Sequence, residues 1–343
     1  MRKEDIAVLI PAYKPDAKLN AFIDSLKRRG FSRIVVVDDG GGAGYAPIFE
    51  QCRAQGAQVV SYSVNRGKGA ALKVGMDAIL KGGAVPIITA DCDGQHLADD
   101  IERMAIAMLD SPESLVLGTR NKGQMPPRSK AGNTITCAAL GMLTGLWVGD
   151  TQTGLRGLPV AALADFMALD GDRYEYELNV LIRARQKGMS VVQLMIETVY
   201  IDDNRGSHFD TLKDSARIYA LLLGQIGKYV GSGLVSGVFE YLVMLALYFF
   251  WPESLLACVV APRVLSSLLN YMINRQIVFK SQAGKRSLLN FYLLVGAVLL
   301  LNYASVFGMT QMGMPVLIAK PIADVVLFVL SYNVQQRFIF RDR

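Results

Sequence analysis

The chain has 343 residues, of which 52% are apolar and 19% charged, with a mean hydropathy of +0.29, a composition that excludes a disordered or fibrous protein. Its net charge of +6 is unevenly spread: residues 1–228 carry 27 Lys/Arg against 26 Asp/Glu, while residues 229–343 carry 9 against 4. The basic excess therefore lies in the oily half, which argues for an anionic membrane surface and against nucleic acid, and four scattered cysteines with two histidines exclude a zinc site or a disulfide framework.

Met1–Asp5 is charged and leads into a short apolar run without the long hydrophobic region of a signal peptide, so the first half is expected in the cytosol. Short β-branched runs follow at Ile6–Ile10, Ile34–Val37, Gln58–Tyr62 and Val85–Ala90. Between and after them the spacing predicts helices near Ala17–Arg29, Ala46–Gln55, Lys68–Leu80 and Asp99–Leu109. Strands separated by helices of this length form right-handed βαβ units and a mainly parallel sheet, which binds ligands beyond the carboxyl ends of its strands. Polar clusters stand at those ends, after Ile10, Val37, Tyr62 and Ala90.

The most informative cluster is Asp91-Cys92-Asp93-Gly94-Gln95-His96. Carboxylates at i and i+2, where a strand turns, can both reach one hard cation such as Mg²⁺ or Mn²⁺ and leave positions open for diphosphate oxygens; a polar turn ahead of a helix capped by Asp99 is the plainer alternative. Asp38 and Asp39, at the end of a buried strand, are well placed for a base or ribose edge. Asn65-Arg66-Gly67-Lys68-Gly69 opens a helix, with glycines that allow close backbone approach and a lysine able to reach an anion. It is neither a Walker loop nor a dinucleotide fingerprint. Gly118-Thr119-Arg120 supplies a cation at a strand end.

Taken in order, Ile10-Pro11-Ala12-Tyr13, Asp38-Asp39-Gly40, Asn65–Gly69, Asp91–His96, Gly118-Thr119-Arg120 and Asp150-Thr151-Gln152-Thr153-Gly154-Leu155-Arg156 resemble a family 2 glycosyltransferase of the polyprenyl-phosphate, dolichol-phosphate mannose synthase-like branch. The resemblance spans about residues 5–217 and implies an α/β GT-A fold, Rossmann-like with a mainly parallel sheet. It also implies inverting transfer of a sugar from a nucleotide-diphosphate donor to a polyprenyl phosphate, for cell-envelope glycan assembly. On that reading Asp91, Asp93 and Gln95 hold Mg²⁺ or Mn²⁺, Asp38 with the Pro11, Ala12 and Tyr13 backbone meets the nucleobase, and Asp39 lies near the ribose. Two positions depart from the family pattern beside the nucleotide pocket: Lys14 replaces the usual Asn, and Gly41 and Gly42 replace a Ser and an Asp.

A phosphate monoester is already anionic and needs little activation, so the work lies in joining two anions and stabilising a departing diphosphate. Arg120, Arg128 with the neighbouring Ser129, and Arg205 are the candidates for the acceptor phosphate, and Lys68 is placed nearer the donor. Asp150 is expected to orient Arg156 or a sugar hydroxyl, with a general-base role as the alternative. Glu175 and Glu177 open a helix, where acids have an ordinary dipole role. His96 and His208 read as polar loop or interface residues.

The expected domains are a cytosolic catalytic domain at 1–209, an amphipathic interfacial helix or linker at 210–226, and an all-α membrane domain at 227–343. Four apolar spans near 230–250, 255–274, 288–307 and 315–334 are each about 20 residues, enough to cross a bilayer. The Trp251–Ser254 and Gly308–Pro315 connectors lack Lys and Arg, whereas the middle connector holds Arg275, Lys280, Lys285 and Arg286, and the tail Arg337, Arg341 and Arg343. With a cytosolic first domain, every basic loop falls on the cytosolic side of an inner or plasma membrane, a segregation that a soluble four-helix bundle would not need. Residues 270–279 recur in outline at 331–340, with Tyr271 and Phe279 matching Tyr332 and Phe340 at an offset of 61; Tyr241 and Tyr303 sit close to that offset. This region resembles a GtrA-type four-helix membrane domain. Glu240, Arg263, Lys320 and Asp324 fall inside the spans, where an unpaired charge costs at least ~2.5 kcal/mol, so lipid-phosphate handling or contact with a second copy is expected. A processive polysaccharide synthase is disfavoured because neither Trp147 nor Trp251 completes a Gln-x-x-Arg-Trp motif. A lipid-sugar flippase with a non-catalytic binding domain is disfavoured by the intact Asp91, Asp93 and Asp150.

Overall fold

The computed structural model describes residues 2–197, 211–251, 253–279, 281, 284 and 286–340, with the backbone alone described at 128, 211–223, 225, 226, 255–257 and 259. The chain forms two compact units: Met1–Gly141 with Leu146–Tyr219, and Ala220–Arg343 with Met142–Gly145.

In the first unit, strands β1 (Ala7–Ala12), β2 (Arg33–Asp39), β3 (Gln58–Tyr62), β4 (Ile87–Thr89), β5 (Leu115–Arg120), β6 (Arg156–Leu158) and β7 (Val191–Ile196) form one sheet in the order β3-β2-β1-β4-β6-β5-β7. All pairs are parallel except those of β6, which runs antiparallel between β4 and β5. The chain leaves β1 towards β2 and β3, then crosses back to lay β4 on the other side of β1, so the switch point falls between β1 and β4.

Helices α1 (Lys18–Arg28), α2 (Ala46–Ala54), α3 (Lys68–Lys81) and α4 (Ala98–Asp110) match the helical spacing of the sequence to within two residues. Further on lie α5 (Pro127–Thr144), α6 (Leu163–Met167) and α7 (Glu175–Gln186). Because side chains alternate along a strand, Val8 and Ile10 of β1 join Leu19, Ile23 and Leu26 of α1 and Ile101 and Met104 of α4 in one core. Leu9 points to the opposite face, where the absent side chain of Gly75 lets α3 lie directly on it.

The second unit contains α9 (Leu255–Ile273), α10 (Arg286–Gln311) and α11 (Val316–Val334), and most of α8 (Thr211–Phe250), a single helix running through both the linker stretch and the first apolar span. Among the described residues, three helical segments are long and apolar enough to cross a membrane, namely Gly227–Phe250, Arg286–Gln311 and Val316–Ile339. The 19-residue α9 also has the length of a span.

The duplication seen in the sequence is a structural repeat. Helices α9 and α11 both run into a π-turn, Asn274–Val278 and Gln335–Ile339, closed by the same bond: Phe279 N–H to Asn274 O and Phe340 N–H to Gln335 O, each 2.8 Å. The repeats pack by exchange, Tyr271 against Phe340 and Tyr332 against Phe279, with ring centroids 5.5 Å apart in both pairs. Tyr271 also meets Phe291 of α10, as Tyr332 meets Tyr229 of α8. At the centre the buried Asn274 donates to Oε1 of its counterpart Gln335 at 3.0 Å, and Ser232 donates to Asn274 Oδ1 at 2.6 Å.

Candidate active site

The carboxyl ends of β1, β2 and β4 surround a cavity of about 360 Å³ lined by Pro11, Ala12, Tyr13, Asp39, Lys68, Asp91 and Asp93, with Asn65, Gly67, Cys92, Arg173 and Tyr174 completing the wall. Seven residues assigned to donor or metal from the sequence thus converge at the switch point. Lys14, beside them, has φ 49°, the one positive φ of a non-glycine among the described residues. An Asn accepts that conformation more readily, so the departure at this position carries local strain.

Asp39 is buried and its oxygens are saturated: it accepts from Tyr62 OH at 2.7 Å, Asn65 Nδ2 at 3.0 Å, Arg66 N–H at 2.7 Å and Gly67 N–H at 3.0 Å. It shapes the loop that launches α3. Gly67, at φ 102°, is required there, because a side chain would strike the Asp172 carbonyl. Lys68 is thereby aimed between two acids, with Nζ 2.6 Å from Asp91 and 2.9 Å from Glu177. Burial opposes the ammonium charge, but Asp91 and Glu177 outweigh it and hold Lys68 above the ordinary lysine range.

The two acids of the turn are shifted in opposite directions. Burial disfavours the Asp91 anion, but Lys68 and, 3.3 Å away, His96 outweigh it and keep Asp91 well below the usual carboxylate range. Asp93 is pushed up, first by burial and then by the charge of Asp91, with one compensating bond from the Gln95 N–H at 3.0 Å. Among the described residues, no three His, Cys, Asp or Glu side chains converge as a metal cage. Two hard oxygen donors on an open cavity, one of them carrying repulsion that a cation would relieve, nevertheless fit a Mg²⁺- or Mn²⁺-type ion that takes its other ligands from a diphosphate and water.

The loop Asp150–Arg156 lines none of this cavity and meets its acids through Gly154, which packs against Asp91. Asp150 is fully buried and accepts both arms of the Arg120 guanidinium, Nε at 2.6 Å and Nη2 at 3.0 Å, plus the Gln152 N–H at 2.9 Å. Burial raises its pKa, but Arg120 more than reverses that and leaves Asp150 below the ordinary range. Asp150 therefore orients Arg120. The expected partner Arg156 is engaged elsewhere, donating to the carbonyls of Thr151 and Thr153 at 3.0 Å and of Glu177, because its buried guanidinium must satisfy its donors on nearby backbone. Gly154 packs so tightly on Asp91 that a Cβ there would overlap both carboxylate oxygens.

Asp38 is not brought to this cavity. Its Oδ1 accepts the Gly41 N–H at 2.8 Å, and it borders a second hollow of about 470 Å³ with Gly42, Arg53, Ser61 and Tyr62. Ser129 lies in the first turn of α5. Arg128 is described only as backbone in that turn, and Arg205, with His208, lies outside the described residues. Glu177 is the residue that sequence reasoning undervalued: at the start of α7 it reads as a dipole partner, and only its burial beside Lys68 reveals the link to Asp91.

Residues 7–158 match the model of glycosyl transferase family 2, and residues 228–340 that of the GtrA/DPMS transmembrane domain. An uncharacterized protein of Methanocaldococcus jannaschii is 28% identical over 232 residues, 66% of this chain and 94% of its own length. The UDP-N-acetylglucosamine–dolichyl-phosphate N-acetylglucosaminyltransferase of Methanococcus voltae is 26% identical over 65% of this chain and 97% of its own length. The polyprenol monophosphomannose synthase of Mycolicibacterium smegmatis is 26% identical over 55% and 75%. In fold, the chain is similar over 64% of its length to glucosyl-3-phosphoglycerate synthase from Mycobacterium tuberculosis, with a TM-score of 0.50 and 20% identity, covering 78% of that chain.

Proposed function

For a chain that carries a glycosyl transferase family 2 domain followed by a GtrA/DPMS transmembrane domain, we propose inverting transfer of a sugar from a nucleotide-diphosphate donor to a polyprenyl phosphate at the cytosolic membrane face. The observation that carries this reading is the Asp91–Asp93 pair with Lys68 at the switch-point cavity. The names of the Methanococcus voltae and Mycolicibacterium smegmatis relatives support the acceptor class. The basic connector and tail of the membrane half support the side of the membrane.

In this reaction a phosphate oxygen of the acceptor attacks the anomeric carbon as the bond to the diphosphate breaks, and a single displacement inverts that carbon. Asp91 and Asp93 would hold a divalent cation, which supplies charge neutralisation for the departing diphosphate. Lys68, kept protonated by Asp91 and Glu177, adds a fixed positive charge on the donor side. Arg120, oriented by Asp150, offers its guanidinium to the acceptor phosphate. Asp91 and Asp150 are both held below the ordinary carboxylate range and so are weak bases, in keeping with an acceptor that is anionic before it binds.

The test is incubation of purified protein with Mn²⁺, polyprenyl phosphate and a panel of labelled nucleotide sugars. An acid-labile lipid-linked sugar from at least one donor is expected. A polymer as the product, or no lipid-linked product from any donor, overturns the reading. Within this reaction Gly154→Ala is expected to lower kcat about 10²-fold by displacing Asp91. Initial rates measured beside a thermal melt of the same variant check that prediction.

A further inference from the structure

Each hairpin of the membrane half carries charged groups inside its spans, and at one position of the repeat both hairpins are charged. Glu240 of α8 corresponds to Asn302 of α10 at an offset of 62, and Arg263 of α9 corresponds to Asp324 of α11 at the repeat offset of 61. Each set bridges its own hairpin. Arg263 lies 3.1 Å from Glu240, which also accepts from Ser266 at 2.7 Å; Asn302 donates to Asp324 at 2.7 Å and accepts from Lys320 at 3.0 Å. Arg263 and Asp324 are each eight residues from the starts of α9 and α11, roughly 12 Å along the helix, which places them deep in a bilayer core of ~30 Å. Yet these side chains are not enclosed: Arg263 is 68% exposed, Lys320 50% and Asp324 51%, among apolar neighbours such as Val264 and Val325. Charged groups at that depth face protein or a polar cavity rather than lipid.

We infer that these faces are a subunit interface, in which hairpin α8–α9 of one copy packs on hairpin α10–α11 of the next and Arg263 meets Asp324. Opposite signs at equivalent repeat positions select this pairing. Contact between like hairpins brings Arg263 to Arg263 or Asp324 to Asp324, whereas contact between unlike hairpins brings a cation to an anion. A lipid phosphate would match Arg263 and Lys320 but would leave Glu240 and Asp324 facing an anion, so a partner carrying both signs fits better. Each copy offers one face of each kind, so the contact is head-to-tail and ends when a ring closes. This inference is independent of the glycosyl-transfer reading.

The experiment is disulfide cross-linking in native membranes from cells co-expressing two tagged copies, one Val264→Cys and the other Val325→Cys. These two positions are equivalent in the repeat and lie beside the charges. Oxidation is expected to give a mixed-tag dimer that is absent from the unsubstituted chain with its four native cysteines. Arg263→Leu is expected to weaken that band at least about tenfold, and Arg263→Lys to retain it. The absence of a mixed band, same-tag bands of equal strength when each variant is expressed alone, or a mixed band unaltered by Arg263→Leu would each overturn the inference. So would a missing band accompanied by co-purified anionic lipid that Arg263→Leu releases.

Discussion

Asp93→Asn is expected to lower turnover by about 10²–10³-fold without lowering the melting temperature of the protein. The two halves of that expectation share one cause. Burial and the neighbouring Asp91 charge push Asp93 upward, so above its folded pKa the native state carries an anion that it disfavours. For an acid with a raised folded value, stability falls as pH climbs from the ordinary carboxylate value through the folded one. Asparagine removes that cost at neutral pH, so the variant melts at the same temperature or higher. What it loses is a donor for a divalent ion. Mn²⁺ at a hundredfold excess over its Kd stabilises a protein that binds it by about 2.7 kcal/mol, so Mn²⁺ is expected to raise the melting temperature of the parent and not of an Asp91→Asn, Asp93→Asn double variant. Parent activity surviving exhaustive chelation, or full turnover in the double variant, would refute the assignment.

Asp150→Asn is expected to fail in the opposite pattern, losing stability as well as about 10²-fold in rate. Asp150 is fully buried and Arg120 is 13% exposed, so the variant strands a guanidinium in a low-dielectric site. Breaking such a pair costs about 3–5 kcal/mol, which for a domain of this size is a fall of roughly 10 °C. The sign of the pH dependence follows from the depressed folded value of Asp150. Its contribution is complete above the unfolded carboxylate value of about 3.9 and is lost as pH falls through the folded one. The gap between parent and variant melting temperatures is therefore expected to persist from neutral pH down to about pH 4 and to narrow below it. Melting curves across that range, with rates at neutral pH, check both effects. A gap that widens in acid would show that Asp150 is not held ionised by Arg120.

The strands and helices of residues 6–110 were legible because their signals are local: β-branched runs broken by glycines and polar turns, then apolar residues at helical spacing. β6 escaped notice because three residues, Arg156–Leu158, are too few to show a period, and the first of them ends a motif read for its chemistry. Its antiparallel insertion between β4 and β5 has a consequence for the site, since it presses the backbone of Gly154 against Asp91. In the membrane half, the offset of 61 already announced two repeats, but not that they exchange Tyr271 and Tyr332 across their partners, nor that both end in π-turns.

By itself the sequence determined where reactive groups gather, because a parallel sheet places every loop after a strand on one rim and those loops hold the carboxylates, the lysine and the arginine. It also determined the division into a charge-balanced half and an oily, basic half, since both follow from residue type along the chain. Tertiary structure alone decided what each acid is for. Asp39 is spent on backbone amides, Asp150 on Arg120 and Glu177 on Lys68, while Asp93 on the cavity is only partly relieved, by the Gln95 N–H, and stays shifted up. The reason is physical: a carboxylate's role depends on burial and on the donors within about 3 Å, and those donors come from segments far away in the chain.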